Sequence, residues 1–185
     1  GITISNNSAT DIDMINETPR TSISIDTIIS PSLDSMNVWF LKKSLNLFGE
    51  AFVKTMGLKA TGIGSTDSGV AVIRNYWDGL GIEKSSINFI DGSGLSPANR
   101  ITVKALVQVM QFARNRPWFN SFYNALPEMN SIKMKDGYIG GVRAYTGYIQ
   151  SKNGTGYTFS LIVNNFYGSP QSAREKMWKI LDILK

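Results

Sequence analysis

The sequence predicts an α+β fold, and three observations carry that prediction. Helix-forming segments fill the first two thirds of the chain. A hairpin signal, Asn153-Gly154 between two alternating runs, comes only afterwards, and one amphipathic helix closes the chain. Helices and strands are therefore segregated along the sequence, which argues for an antiparallel sheet rather than a parallel one.

The elements follow in order. Residues 5–20 (Asn6-Asn7-Ser8 through Pro19) are polar and turn-rich and predict a mobile segment. Ile23, Ile25 and Thr27 alternate with polar neighbours and read as a short strand ending before Pro31. One long helix is expected from about Ser32 to Met56, with Gly57 as its stop. Its apolar residues, among them Leu33, Met36, Phe40, Leu47, Phe48, Ala51 and Phe52, cover more than one stripe and predict burial on more than one side.

Ser65 or Asp67 can cap a second helix running to Trp77, with Gly79 near its end. The turn-rich run Asp91-Gly92-Ser93-Gly94-Leu95-Ser96-Pro97 leads to Thr102, the cap of a third helix that stops before Pro117. Tyr138 to Gly141 reads as a turn, Val142–Gln150 and Tyr157–Asn164 as the two strands of the hairpin. Ser169-Pro170 opens the last helix, whose apolar side holds Met177, Trp178, Leu181 and Leu184. The four tryptophans, Trp39, Trp77, Trp118 and Trp178, fall at core-like spacings and are expected in packing.

Composition removes several chemistries. At 185 residues, 42% apolar and 18% charged, the chain needs neither disulfides nor metals to form a core. It contains no cysteine and no histidine, which excludes thiol catalysis, Cys/His zinc sites and any Ser–His–Asp triad. No metal and no cofactor is expected. The net charge is +5, but Lys and Arg are scattered, with Lys133, Lys135 and Arg143 the densest group, so nucleic acid is not expected as a partner. No stretch approaches the ~20 apolar residues of a membrane span, and no signal-peptide pattern opens the chain. Absent cysteine is compatible with cytosol or periplasm.

Three ordered blocks carry a resemblance. The first is Lys43-Ser44-Leu45-Asn46-Leu47-Phe48-Gly49-Glu50-Ala51. The tripeptide Ser-x-Asn recurs at Ser35-Met36-Asn37, Ser86-Ile87-Asn88 and Ser151-Lys152-Asn153, but only Ser44 has flanks of the Ser-x-Asn-Leu-Tyr-Ala-Glu kind. The second block is Asp91-Gly92-Ser93-Gly94-Leu95-Ser96 with Asn99-Arg100-Ile101-Thr102 behind it. The third is Lys135-Asp136-Gly137, with Gly141-Val142-Arg143 and Gly147-Tyr148 downstream, and Val163-Asn164-Asn165 follows before the last helix. Together they resemble the D-alanyl-D-alanine carboxypeptidases among the class C low-molecular-mass penicillin-binding proteins, from roughly Ile29 to Lys185.

The resemblance implies part of a penicillin-recognising, β-lactamase-like serine-transferase fold. Residues 1–30 would be a polar segment and strand. Residues 31–185 would be the C-terminal part of the catalytic domain, with a helical part at 31–128 and the sheet and closing helix at 129–185. It implies a serine-type carboxypeptidase or endopeptidase acting on peptidoglycan stem peptides in the periplasm or cell envelope, exported, and inhibited by β-lactams.

By the same resemblance, Ser44 relays a proton towards the leaving amine and Asn46 holds the substrate's peptide carbonyl. Lys135 places positive charge near the terminal carboxylate, and the N–H of Tyr138, after Gly137, contributes to an oxyanion hole. Asp91 and Ser93 order the site. Tyr138 and Tyr145 are candidates for touching a glycan or stem peptide.

Two departures stand out. No Ser-x-x-Lys occurs in residues 1–185, so the nucleophile pair is expected upstream and the chain alone is expected to be inactive. Apolar surface meant for that half would be exposed or covered by a second copy, making self-association an expectation. Moreover, Asp136 stands where the family has Thr or Ser. Two carboxylates 4 Å apart repel by ~4 kcal/mol at an effective dielectric of 20, about three powers of ten in affinity. The stretch between Leu126-Pro127 and Lys135 is also short. These features keep a second expectation open, a non-catalytic peptidoglycan-binding envelope protein.

Overall fold

The computed structural model describes residues 28–185. Residues 31–185 form one compact unit, and the elements below belong to it. The polar segment at 5–20 and the strand expected at Ile23–Thr27 lie outside the described residues.

The expected single helix is two. α1 spans Leu33–Lys43, with the Ser32 hydroxyl accepting from the Ser35 N–H at its start. Ser44 then adopts a left-handed conformation, φ 52° and ψ 47°. α2 resumes at Asn46 and runs to Thr61, ending on Gly62 at φ 79°, whose N–H returns to the Leu58 carbonyl at 2.9 Å. Gly57 is thus a mid-helix residue and not a stop.

Its smallness serves packing. α3 (Thr66–Gly79, capped by Ser65) lies against α2 at contact distance, and a Cβ at Gly69 would sit 2.0 Å from the Val53 carbonyl oxygen. A Cβ at Gly57 would meet the Gly69 nitrogen at 2.8 Å. The broad burial expected for the first helical stretch is also not found. α1 has no buried residue, and Leu47 is 81% exposed.

A short 3-10 turn at Lys84–Ser86 leads into β1 (Ile87–Asn88), which pairs antiparallel with β2 (Arg100–Ile101) across the Asp91–Ser96 loop. Thr102 caps α4 (Val103–Arg114), as its sequence indicates, by accepting from the Ala105 N–H at 3.1 Å. α5 (Phe119–Ala125) follows Pro117 and was not expected.

The sheet is a meander, β3 (Glu128–Met129), β4 (Ile132–Ile139), β5 (Val142–Gln150) and β6 (Gly156–Val163), in spatial order β3-β4-β5-β6. The short stretch before Lys135 is a tight hairpin whose corner, Asn130-Ser131, is left-handed at both residues, φ 51° and 54°. The turn expected over Tyr138–Gly141 shrinks to Gly140-Gly141, and Tyr138 belongs to β4. α6 (Pro170–Asp182) closes the fold with the Ser169 hydroxyl as its cap.

Side-chain alternation divides the sheet into two faces. On one, Ile132, Met134, Tyr145, Ile149 and Phe159 pack against Met177 and Leu181 of α6. On the other, Tyr148 packs with Met110 of α4 and with Leu126, Leu41 and Phe119. The Tyr148 hydroxyl donates to the Met110 carbonyl at 2.7 Å, and burial pushes its pKa up to about 12 against the pull of Arg114. Among the tryptophans, Trp77 and Trp178 pack against cores as expected, while Trp39 and Trp118 are about half exposed.

Candidate active site

The first group of site residues forms where α1 breaks. Ser44, exposed, occupies the junction, and Asn46 is the first residue of α2. The Asn46 side chain faces two backbone carbonyls, those of Ser44 at 3.2 Å and Ser93 at 3.1 Å, so its amide nitrogen is assigned to that side. Both of its hydrogens are thereby used within the protein, so the donation to a substrate carbonyl expected of Asn46 is not open to them, and Oδ1 is the atom left for a ligand. Asn46 joins the junction to the Asp91–Ser96 loop.

That loop is organised by Asp91. One carboxylate oxygen accepts from the Gly94 N–H at 2.6 Å and the Ser93 hydroxyl at 3.0 Å. The other accepts from the Ser96 N–H at 3.0 Å and the Asn99 amide at 3.1 Å. Burial works to raise the Asp91 pKa, but these four donors outweigh it and hold the carboxyl below its ordinary value. The ordering role expected of Asp91 and Ser93 has this geometry behind it.

A residue given no role from sequence fastens the loop to the helix. Glu50 accepts from the Gly92 N–H at 2.9 Å with one oxygen and from the Thr66 hydroxyl with the other. The Thr66 bond, and against opposing desolvation the Gly92 bond, keep Glu50 below the usual carboxylate range. Gly49 and Gly92 let the two backbones touch: a Cβ on Gly49 would lie 2.2 Å from the Gly92 carbonyl oxygen. The signal for Glu50 was present in the sequence, six residues after Ser44 at the end of the first block.

The second group lies on β4. Lys135 and Gly137 share the sheet face that carries Tyr148, and Asp136 shares the face of Met134 and Tyr145. Lys135 nevertheless reaches its neighbour at the strand edge, donating to the Asp136 carbonyl at 2.9 Å and to its carboxylate at 3.3 Å. Both side chains are about one-third exposed. β3 covers β4 only as far as Lys133, and the Met134 N–H donates outward to the Pro127 carbonyl at 3.1 Å. By alternation from Met134, the backbone groups of Asp136 and Tyr138 also point to this outer edge, which no strand covers among the described residues.

The two groups are not joined by any hydrogen bond among the described residues: Asn46 is committed to Ser44 and Ser93, Lys135 to Asp136. Tyr138 is 54% exposed, but Tyr145 is 1% exposed beneath α6 and is no surface for a glycan. The alternation that puts Lys135 towards the helices puts Tyr145 on the opposite face.

The fold matches solved penicillin-binding proteins. Two crystal structures of penicillin binding protein 4 from Haemophilus influenzae, one complexed with a β-lactam, superpose with TM-scores of 0.69 and 0.65 at 16% and 15% identity. The matches cover 82% and 78% of this chain, and 41% and 39% of theirs. The α+β architecture is thus part of the penicillin-recognising fold.

Residues 8–184 match the model of the D-Ala-D-Ala carboxypeptidase 3 (S13) family, and the chain belongs to that family. It is 29% identical over 162 residues to a D-alanyl-D-alanine carboxypeptidase of Actinomadura sp. (strain R39), covering 76% of this chain and 30% of that protein. It is 36% identical over 85 residues to penicillin-sensitive carboxypeptidase A of Dictyostelium discoideum, covering 45% and 16%. The chain therefore spans under a third of the length of these curated relatives.

Proposed function

We propose that these residues form the C-terminal part of a serine-type D-alanyl-D-alanine carboxypeptidase or endopeptidase of the cell envelope, working on peptidoglycan stem peptides. The observation that carries this reading is the Asn46 amide, which ties the Ser44 backbone to the Asp91–Ser96 loop and leaves the Ser44 hydroxyl exposed at that junction. The open edge of β4 supports it further. An extended peptide could lie along that edge with Lys135 near its terminal carboxylate and the Tyr138 N–H at the developing oxyanion.

In this scheme Ser44 passes a proton to the leaving amine, and Asn46 holds Ser44 while offering Oδ1 to a substrate N–H. Gly137 leaves the sheet face beside Lys135 without a side chain. The attacking serine and its lysine come from outside residues 1–185. β-Lactams, which mimic the terminal dipeptide, would acylate that serine.

A second reading rests on one observation. The positive charge of Lys135 is engaged by Asp136 at 3.3 Å, which suits a protein that binds stem peptides without turnover. One experiment separates the two: a labelled β-lactam is added to the intact protein that carries these residues together with a Ser-x-x-Lys segment. Acylation slowed by about 10²-fold or more in Ser44→Ala and Lys135→Ala supports the enzyme. Muropeptide binding with no acylation supports the binding protein. Acylation untouched by either substitution removes both residues from the site.

A further inference from the structure

One face of α2 grips the Asp91–Ser96 loop at two consecutive residues. Asn46 and Glu50 stand four positions apart on the helix, one turn from each other, so their side chains share that face. Asn46 donates to the Ser93 carbonyl at 3.1 Å, and Glu50 accepts from the Gly92 N–H at 2.9 Å. The Gly92-Ser93 segment is thus tied at both ends to a single helix surface. Between the ties the backbones touch: a Cβ at Gly92 would lie 2.3 Å from the Gly49 carbonyl oxygen and 2.5 Å from Val53 Cγ2.

The grip extends to a third element. Thr66, the first residue of α3, donates its hydroxyl to the other oxygen of Glu50. A glutamate side chain is rich in rotamers, and one hydrogen bond to a loop would leave it free to exchange among them. A second bond, from a different helix, holds the carboxylate with its remaining oxygen aimed at Gly92. Asn46 is the residue on which this arrangement bears. Its amide is planar, with Oδ1 and Nδ2 fixed relative to each other, so turning the nitrogen to follow the Ser93 carbonyl carries the oxygen with it. The direction of Oδ1 therefore depends on where the loop backbone is held, and the Glu50 tie lies one residue before Ser93.

We propose that Glu50 and Thr66 are positioning residues of the carboxypeptidase site: they hold the Gly92-Ser93 backbone so that Asn46 presents Oδ1 to the substrate. Neither residue touches substrate, and both act through Asn46. The inference rests on the function proposed above, in which Asn46 Oδ1 receives a substrate N–H.

The test is the first-order rate constant for acylation of the intact protein, Ser-x-x-Lys segment included, by saturating labelled β-lactam. Loss of folded protein lowers the amplitude of that reaction and not its rate constant. Glu50→Ala should slow it at least tenfold and Thr66→Val at least threefold, while Thr66→Ser, which keeps the hydroxyl, should stay within twofold of the parent. In an Asn46→Ala background Glu50→Ala should add less than twofold, because its effect passes through Asn46. Tyr148→Phe, which removes a bond between the sheet and α4, should leave the rate constant unchanged.

The inference is overturned if the parent is acylated and both Glu50→Ala and Thr66→Val react at the parent rate. It is equally overturned if Glu50→Ala slows the reaction by the same factor with and without Asn46, or if Tyr148→Phe slows it as much, since the effect is then general loosening. A parent that is not acylated at all overturns the carboxypeptidase reading and this inference with it. Should Glu50→Ala fail to fold, Thr66→Val against Thr66→Ser, each with and without Asn46→Ala, decides.

Discussion

Glu50 on α2 holds the backbone N–H of Gly92 at 2.9 Å, across 42 residues of sequence. That bond ties the helix that follows Ser44 to the loop built around Asp91. Both carboxylates have pKa values below normal, so both stabilise the folded state only while ionised. Their contribution is complete above the ordinary carboxylate pKa of about 4 and is lost as pH falls through the lowered folded values. Chemical denaturation of Glu50→Gln from pH 7 to pH 3 should show a shallower loss of stability than the parent chain. Equal slopes would remove Glu50 from the acid transition.

Gly49 touches the Gly92 carbonyl, and a methyl group has no room there. Gly49→Ala improves helix propensity by up to ~1 kcal/mol, yet forcing the loop away should cost roughly 1–3 kcal/mol. The expected net result is a lower thermal midpoint. A rise would mean that the two backbones separate easily.

Ser44 is held at φ 52°, a conformation that costs a non-glycine residue about 1–2 kcal/mol. Ser44→Gly should therefore raise stability by about 1 kcal/mol while slowing acylation by a β-lactam in the intact protein. Unchanged acylation would show that the hydroxyl has no part in the chemistry.

Tyr148 links the sheet to α4 through its bond to the Met110 carbonyl. Tyr148→Phe should lose about 1 kcal/mol at neutral pH. Because the folded pKa lies near 12, the parent is fully stabilised below pH ~10, the unfolded value, and weakens as pH climbs through 12. The variant should lack the Tyr148 share of that alkaline loss, read from denaturation midpoints between pH 9 and 12.

Asp136 sits 3.3 Å from the Lys135 ammonium. Replacing it by threonine releases that charge and removes the carboxylate beside it. Asp136→Thr should quicken β-lactam acylation of the intact protein by about ten- to a hundredfold, less than the full Coulomb figure because Lys135 already offsets part of it. A slower reaction would mean that Asp136 aids the site.

The sequence made the fold class and most caps legible because those signals are local. Ser65, Thr102 and Ser169 each accept the N–H three residues on, as their positions before apolar runs foretold. The break at Ser44 was hidden because Leu45, Leu47 and Phe48 continue an apolar pattern through it, and the contacts made there, from Asn46 and Glu50 to the Asp91 loop, are distant in sequence. Gly57 was misread for a related reason: a glycine that ends a helix and one that admits a neighbouring helix look alike until the neighbour is placed. Glu50 was in view, but its partner is 42 residues away. Arg143 was read only as part of a basic group and of the third block, since nothing local told that two of its nitrogens would be buried.

The left-handed residue between α1 and α2 changes how the Ser-x-Asn signature should be understood. On an unbroken helix, positions two apart are rotated by about 200° and look nearly opposite ways. Here two consecutive residues leave helical angles, Ser44 at φ 52° and ψ 47° and Leu45 at φ −77° and ψ 96°, so that rule does not govern the hydroxyl and the amide. In this chain the motif's spacing of two bridges a helix junction, and no continuous helical surface is involved.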